Sequence, residues 1–193
     1  GYRGADATRI ALVGHSQAAM LLVALIPYLD VMKWQLTIYT GNGCLWKTPA
    51  LDLCKDAMGE VQRQMLADPY DLVVTKAYRR LDDPSHYADA WKPVADAGSR
   101  IAVISDNPDV GEATLACMQR VIFGGQSGEC DTPRRQAMEI PDQQIAAARM
   151  VPAATVIDLT QYYCDEDQCP AIIGDVIVYR DRNHTTTTYM RTL

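Results

Sequence analysis

Short apolar runs alternate with helically spaced stretches along this chain, the pattern of βαβ units around a parallel sheet. Arg9 to Val13 (RIALV) is almost wholly apolar, as a strand buried on both faces has to be. Ser16 to Leu29 follows with helical spacing, and Pro27 marks its last turn. Gln35 to Tyr39 (QLTIY) predicts a second strand and leads into the Gly-rich loop Gly41-Asn42-Gly43-Cys44. Leu51 to Leu66 is helically spaced, Asp71 to Thr75 (DLVVT) predicts a third strand, Tyr87 to Ala97 a helix, and Arg100 to Ser105 (RIAVIS) a fourth strand. Pro108 to Pro141 breaks the alternation and reads as a disulfide-closed excursion around the Gly-rich stretch Gly124 to Gly128. A helix over Asp142 to Met150 and a fifth strand over Thr155 to Leu159 (TVIDL) complete the pattern. The expected fold is α/β, a three-layer sandwich with a central parallel sheet of four to five strands, in a single domain over residues 1–193.

Composition narrows the function classes. The net charge is -6, which argues against a nucleic-acid or anionic-membrane surface, because phosphate contacts need clustered Lys and Arg. The pairs Arg79-Arg80 and Arg134-Arg135 stand alone and read as solvated surface. The longest apolar run, Ala18 to Leu29, falls short of the roughly 20 residues a membrane-spanning helix needs. The chain begins at Gly1 without a Met and is expected to be a piece excised from a larger protein.

Six cysteines fall along the chain as three local pairs, with no CxxC motif or His-flanked zinc spacing. Disulfides in an oxidising compartment are the favoured reading. Pairing each cysteine with its neighbour gives Cys44–Cys54, Cys117–Cys130 and Cys164–Cys169 among many possible connectivities. No metal and no cofactor are expected.

Gly14-His15-Ser16-Gln17 follows the first strand directly and opens a helix. Ser16 would then sit at the carboxyl end of a parallel strand, where open α/β sheets place their ligands. Its N–H would be a first-turn donor with no helical partner, suited to an oxyanion. A serine there is also an ordinary N-cap. A serine nucleophile needs a base, usually His, oriented by a carboxylate. Of three histidines, His86 lies in a polar stretch and reads as surface. His15 adjoins Ser16 in sequence, but neighbouring side chains on a helix point apart, so it reads as structural or as a pocket wall. His184, three residues after Asp181, remains as general base, with Asp181 as its orienter.

Gly14-His15-Ser16-Gln17-Ala18 resembles the Gly-x-Ser-x-Gly elbow of α/β-hydrolases, but that elbow normally follows several strands. A serine after the first strand with Asp-x-x-His near the C-terminus is instead similar to the SGNH (GDSL-like) hydrolases, which share a flavodoxin-like sandwich. Ala11 to Ala19 resembles the Gly-Asp-Ser-His-Ala opening of SGNH domains fused behind acyltransferase-3 membrane domains. Ile104-Ser105-Asp106-Asn107-Pro108 followed by Cys117 is similar to their Asp-x-Pro…Cys segment. Cys164…Cys169-Pro170, Val178-Tyr179-Arg180-Asp181 and His184-Thr185 resemble their closing segment. Two positions depart from the pattern: His15 stands for the family's Asp and Gln17 for its His.

The resemblance implies a Ser16–His184–Asp181 triad on the extracytoplasmic side of a membrane. It implies transfer of an acyl group, typically acetyl, through a Ser16 acyl-enzyme to a hydroxyl of a cell-envelope glycan or glycolipid. An acyltransferase-3-type membrane domain in the same polypeptide is the implied partner. The wider group adds oxyanion donors after the second and third strands. Here Gly41 or Gly43, and the Thr75 hydroxyl, stand at those places beside the Ser16 N–H. A carbohydrate or lipid esterase with the same triad, and a decayed module that only binds glycan, are the alternatives. Trp34, Trp46, Trp91, Tyr78 and Tyr179 are available to stack on sugar rings, although aromatics more often build cores.

Overall fold

A computed structural model describes residues 1–124 and 130–193. Five parallel strands form the central sheet in the order β2-β1-β3-β4-β6: β1 Thr8–Gly14, β2 Trp34–Thr40, β3 Leu72–Lys76, β4 Arg100–Ile104 and β6 Ala154–Ile157. All five expected strands are present, with ends shifted by a residue or two. In β1, Ile10 and Leu12 point to one face and Ala11 and Val13 to the other, and all four are buried.

One face is covered by α3 (Lys55–Ala67), α4 (Pro84–Asp96) and α7 (Gln143–Ala148). Met58, Val61 and Met65 of α3 pack with Tyr87, Trp91 and Val94 of α4 over Val73, Ile101 and Val103. The other face is covered by α1 (Ser16–Met20), α2 (Leu22–Leu25) and α8 (Thr187–Met190), where Ala18, Leu21 and Met190 meet Ile10, Leu12, Val74 and Ile104. This is the three-layer sandwich that the alternation predicts.

Three elements differ from expectation, the first being the helix over Leu51 to Leu66, which opens with a 3-10 turn at Asp52–Cys54 before α3 begins at Lys55. The single helix over Ser16 to Leu29 is broken into α1, α2 and a 3-10 turn at Ile26–Tyr28. At the joint, the Leu21 N–H donates to the Ala18 carbonyl at 3.0 Å, a tightened i to i−3 bond. Pro27 then lacks the N–H that would continue the ladder. The helix expected from Tyr87 starts three residues earlier. Asp83 caps it by accepting from the Ser85 N–H at 2.9 Å, and Pro84 takes the first helical position, where a missing N–H costs nothing.

A second, smaller core lies beyond the sheet. The excursion contains α5 (Glu112–Ile122), β5 (Thr132–Pro133) and α6 (Arg134–Ala137), and Gly125 to Gly128 of its Gly-rich stretch lie outside the described residues. The strand β5 pairs antiparallel with β7 (Gln168–Cys169), and β8 (Ile172–Ile173) with β9 (Val176–Ile177). Here Cys117, Met118, Tyr163, Val178, Tyr179 and Tyr189 pack around two disulfides, Cys117–Cys130 and Cys164–Cys169. The third, Cys44–Cys54, ties the loop after β2 to the turn that leads into α3. All three local pairings are therefore formed.

Candidate active site

The sheet order places β1 between β2 and β3, so the end of β1 opens at the point where strand order reverses. Gly14, at that end, has φ +144, and a Cβ there would come within 3.1 Å of the Ala18 Cβ and 3.2 Å of the Lys76 carbonyl oxygen. Only glycine lets the chain turn this sharply from strand into helix. Ser16 is the first residue of α1 and is half-buried.

Ser16 Oγ lies 2.8 Å from His184 Nε2. His184 Nδ1 in turn lies 2.8 Å and 3.0 Å from the two carboxylate oxygens of Asp181. Asp181 Oδ1 also accepts the backbone N–H groups of His184 at 2.9 Å and Asn183 at 3.2 Å. Burial alone would raise the Asp181 carboxyl, but the hydrogen bonds from the His184 ring, then the His184 and Asn183 backbones, outweigh it and hold it below its ordinary value. An anionic Asp181 keeps the proton on His184 Nδ1 and leaves Nε2 free to accept from Ser16. The three residues expected to form a triad thus meet, with one hydrogen bond between Ser16 and His184 and another between His184 and the Asp181 carboxylate.

The turn bearing Asp181 and His184 is tied from below to the helix that carries Ser16. The Asn183 carbonyl accepts from Gln17 Nε2 at 2.5 Å and from Asn107 Nδ2. Both side chains are fully buried. Gln17 follows Ser16 on α1, and Asn107 follows β4, so two separate chain segments converge on the carbonyl of a third. Sequence reasoning gave neither residue a role. Gln17 registered only as a departure from a family pattern, and Asn107 only as part of a matching segment.

Behind Asn107 lies a buried charge network. Lys76 Nζ donates to the Ser105 carbonyl at 2.6 Å and lies 3.3 Å from Asp106 Oδ1, both side chains being about 1% exposed. Asp106 Oδ2 accepts the Arg79 N–H at 2.7 Å, and the Asp106 N–H donates to Asp142 Oδ2 at 2.8 Å. Burial pulls Lys76 down and Asp106 up from their ordinary values, each opposed by the other's charge. Arg79, read as solvated surface, is buried instead, because its guanidinium donates to the carbonyls of Asn107, Ile140 and Asp106. Arg80 is half-exposed, with its guanidinium 5.6 Å above the Tyr78 ring.

His15 is sealed from solvent and touches Ser16. As the N-cap of α1 it has extended backbone (φ -109, ψ -156), so its side chain is not held on the helical spacing that would point it away from Ser16. Its Nδ1 lies 3.2 Å from Ser16 Oγ and 3.3 Å from the Gln17 backbone nitrogen. Its Nε2 lies 3.2 Å from the Tyr78 backbone nitrogen, and the Tyr78 ring meets it edge-on at 4.9 Å. His86 is half-exposed, with Nδ1 3.2 Å from Asp82 Oδ1.

The expected oxyanion donors are placed unequally. The Ser16 N–H opens α1 and has no helical carbonyl within reach. The Gly41 N–H is committed to the Gly14 carbonyl at 3.1 Å. Gly43 has φ +73 and faces open space. Thr75 pairs with Val13 in the sheet, and its hydroxyl is fully buried without a hydrogen-bond partner among the described residues. Of the five aromatics, Trp46 and Trp91 are core, Tyr179 packs on Tyr163, Trp34 lines an apolar slot under the sheet, and Tyr78 borders the site. Among the described residues, no cluster of His, Cys, Asp and Glu is arranged to hold a metal, and no helix is long and apolar enough to cross a membrane.

Among curated proteins, none matches the sequence. Among solved structures, the chain is similar to the periplasmic domain of a lipopolysaccharide acetyltransferase from Salmonella ser. Paratyphi A. The two share 18% identity and a TM-score of 0.74 over 97% of this chain and 81% of that one, a likeness of fold. A sugar ABC transporter from Yersinia enterocolitica aligns at 14% identity over 81% of this chain and 49% of that one, with a TM-score of 0.38, too low to carry an argument. A family model, the SGNH domain fused to AT3 domains, matches residues 2–193, and the chain belongs to that family.

Proposed function

We propose that this domain is an extracytoplasmic serine O-acyltransferase, carrying an acyl group, typically acetyl, on Ser16 and passing it to a hydroxyl of a cell-envelope glycan or glycolipid. Membership of the SGNH family fused to AT3 domains supports an enzyme of acyltransferase or esterase kind. The observation that carries the finer reading is the hydrogen-bonded chain from Ser16 through His184 to Asp181. His184 Nε2 takes the Ser16 proton as Oγ bonds to the acyl carbon, and the same proton then leaves with the departing group. The Ser16 N–H, with Gly43 as second donor, receives the charge that builds on the acyl oxygen. The acceptor hydroxyl next gives its proton to His184 and attacks, which frees Ser16.

The family's fusion to AT3 domains supports a membrane AT3 domain in the same polypeptide as the partner that supplies the acyl group. Three disulfides support a location outside the cytoplasm. The assembled triad favours catalysis over a module that only binds glycan. Water in place of the acceptor turns the same site into an esterase.

The test is hydrolysis of p-nitrophenyl acetate by the wild type, Ser16→Ala and His184→Ala, with sugar alcohols added as competing acceptors. Turnover lost in both variants, and acetyl found on the sugar, is the expected result. Turnover that survives Ser16→Ala would overturn the acyl-enzyme.

A further inference from the structure

We propose that His15 is a catalytic hydrogen-bond donor that holds the Ser16 oxygen from the side opposite the general base. The inference rests on Ser16 being the nucleophile. Ser16 Oγ stands between two imidazoles, His184 Nε2 at 2.8 Å and His15 Nδ1 at 3.2 Å.

The argument turns on which ring nitrogen of His15 carries the proton. A neutral imidazole has one donor and one acceptor. His15 stays neutral near physiological pH, because burial, then the nearby His184, Lys76 and Arg80, push it down to about 4. Two backbone N–H groups face it, Tyr78 at Nε2 and Gln17 at Nδ1, and one lone pair cannot serve both.

If the proton sits on Nε2, it confronts the Tyr78 N–H in a buried site, donor against donor. If it sits on Nδ1, the Tyr78 N–H is satisfied and Nδ1–H donates to Ser16 Oγ. Ser16 can accept, since its own proton points to His184 Nε2. The loss on this side is one bond from the Gln17 N–H, which is a first-turn donor of α1 that the helix cannot pair. In the second arrangement Nδ1–H faces the Gln17 N–H, but only that one donor is left without an acceptor, where the first leaves two, His15 Nε2–H and the Tyr78 N–H, and the second is the one we assign.

A donor on Oγ acts differentially. In the resting enzyme the hydroxyl is neutral and the bond is long. As His184 removes the proton, negative charge builds on Oγ and the same bond strengthens. When the acyl-enzyme breaks down, the bond between Oγ and the acyl carbon cleaves. His15 holds the charge on Oγ until His184 returns the proton. His15 itself neither gains nor loses a proton in either half.

Two isosteric substitutions separate the nitrogens. His15→Asn sets an amide nitrogen near the position of Nδ1, and His15→Gln sets its amide near Nε2. We expect His15→Asn to keep most of the rate of fluorophosphonate labelling and ester turnover. We expect His15→Gln to lose roughly 10- to 100-fold in kcat with KM unchanged, less than a full oxyanion-hole donor because the contact is long. Nitrogen-15 NMR of the wild-type imidazoles, near neutral pH, reads the tautomer without any activity and without a variant that must fold. A protonated Nδ1 and bare Nε2 on His15 is the expected result. A proton on Nε2, an imidazolium, or equal rates in the two variants would overturn the assignment. If the wild type itself is neither labelled nor active, the acyl-enzyme reading fails, while the NMR result still decides the hydrogen bond on Ser16.

Discussion

Gln17 Nε2 donates to the Asn183 carbonyl at 2.5 Å, across 166 positions of sequence. That bond and its companion from Asn107 fix the height of the Asp181–His184 turn above α1. A buried carbonyl stripped of both partners costs about 1–3 kcal/mol. The larger expected effect is on geometry, since a misplacement of about 1 Å can cost on the order of 100-fold in rate. Asn107→Ala and Gln17→Met are each expected to lower kcat on p-nitrophenyl acetate roughly tenfold, with KM within about twofold. The double variant should fall further than the sum of the two, because each donor covers for the other. Steady-state kinetics beside thermal melts tests this, and unchanged kcat in the double variant would remove the clamp from the mechanism.

Asp181→Asn should leave the turn folded, since an amide oxygen can still accept the backbone N–H groups of Asn183 and His184. In the proposed mechanism the amide cannot stabilise the imidazolium on His184, and its NH2 favours the wrong tautomer. A loss in kcat on the order of 100- to 10,000-fold is expected, with little change in melting temperature.

The buried neutral His15 makes the fold sensitive to acid. The unfolded chain takes up this proton near its ordinary value of 6.5, while the folded chain resists until about 4. Between those values the unfolded state binds more protons, so stability falls as pH falls. The loss is at most about 3 kcal/mol, less where the ring is partly solvated. Denaturant melts across this range should show it, and His15→Asn should flatten the curve.

Lys76 and Asp106 form a pair that is safe only when complete. Lys76→Met leaves Asp106 without its countercharge in a dry site and should cost about 3–5 kcal/mol, as should Asp106→Leu. The double variant should recover much of that loss. Additive losses in a double-mutant cycle would contradict the coupling.

Reduction of the disulfides should act on two places. Each short loop contributes about 2–3 kcal/mol by restricting the unfolded chain. Loss of Cys117–Cys130 or Cys164–Cys169 should also loosen the small core under the triad turn, and so lower kcat as well as the melting temperature. Loss of Cys44–Cys54 should act on the loop that carries Gly43. Serine substitutions of each pair, assayed for both quantities, separate these effects.

How much of this was legible in the sequence follows from how far each interaction reaches. The three central strands were readable because burial on both faces forces a run such as Ile10 to Val13 to be apolar, while the partly exposed edge strands β2 and β6 were readable from their β-branched and aromatic residues. Ser16 and the Asp181–His184 pair were readable because their chemistry confines them to short linear motifs. Gln17 and Asn107 were not, because their partner is a backbone carbonyl, which any residue would supply. Lys76, Arg79 and Asp106 look like surface residues, since charge says nothing of the carbonyls and countercharges that fold around it. The break in the first helix was half visible, as Pro27 marks the end but nothing in the sequence marks the tightened turn at Leu21.

Asp181 and His184 share one four-residue turn, held together by backbone N–H groups of Asn183 and His184 that donate to the Asp181 carboxylate. Any shift of that segment therefore carries both side chains as a rigid unit and leaves their mutual alignment intact. What such a shift changes is the placement of His184 Nε2 relative to Ser16 Oγ, 2.8 Å apart here. Anything that moves this turn would therefore reach the proposed chemistry through its distance to Ser16.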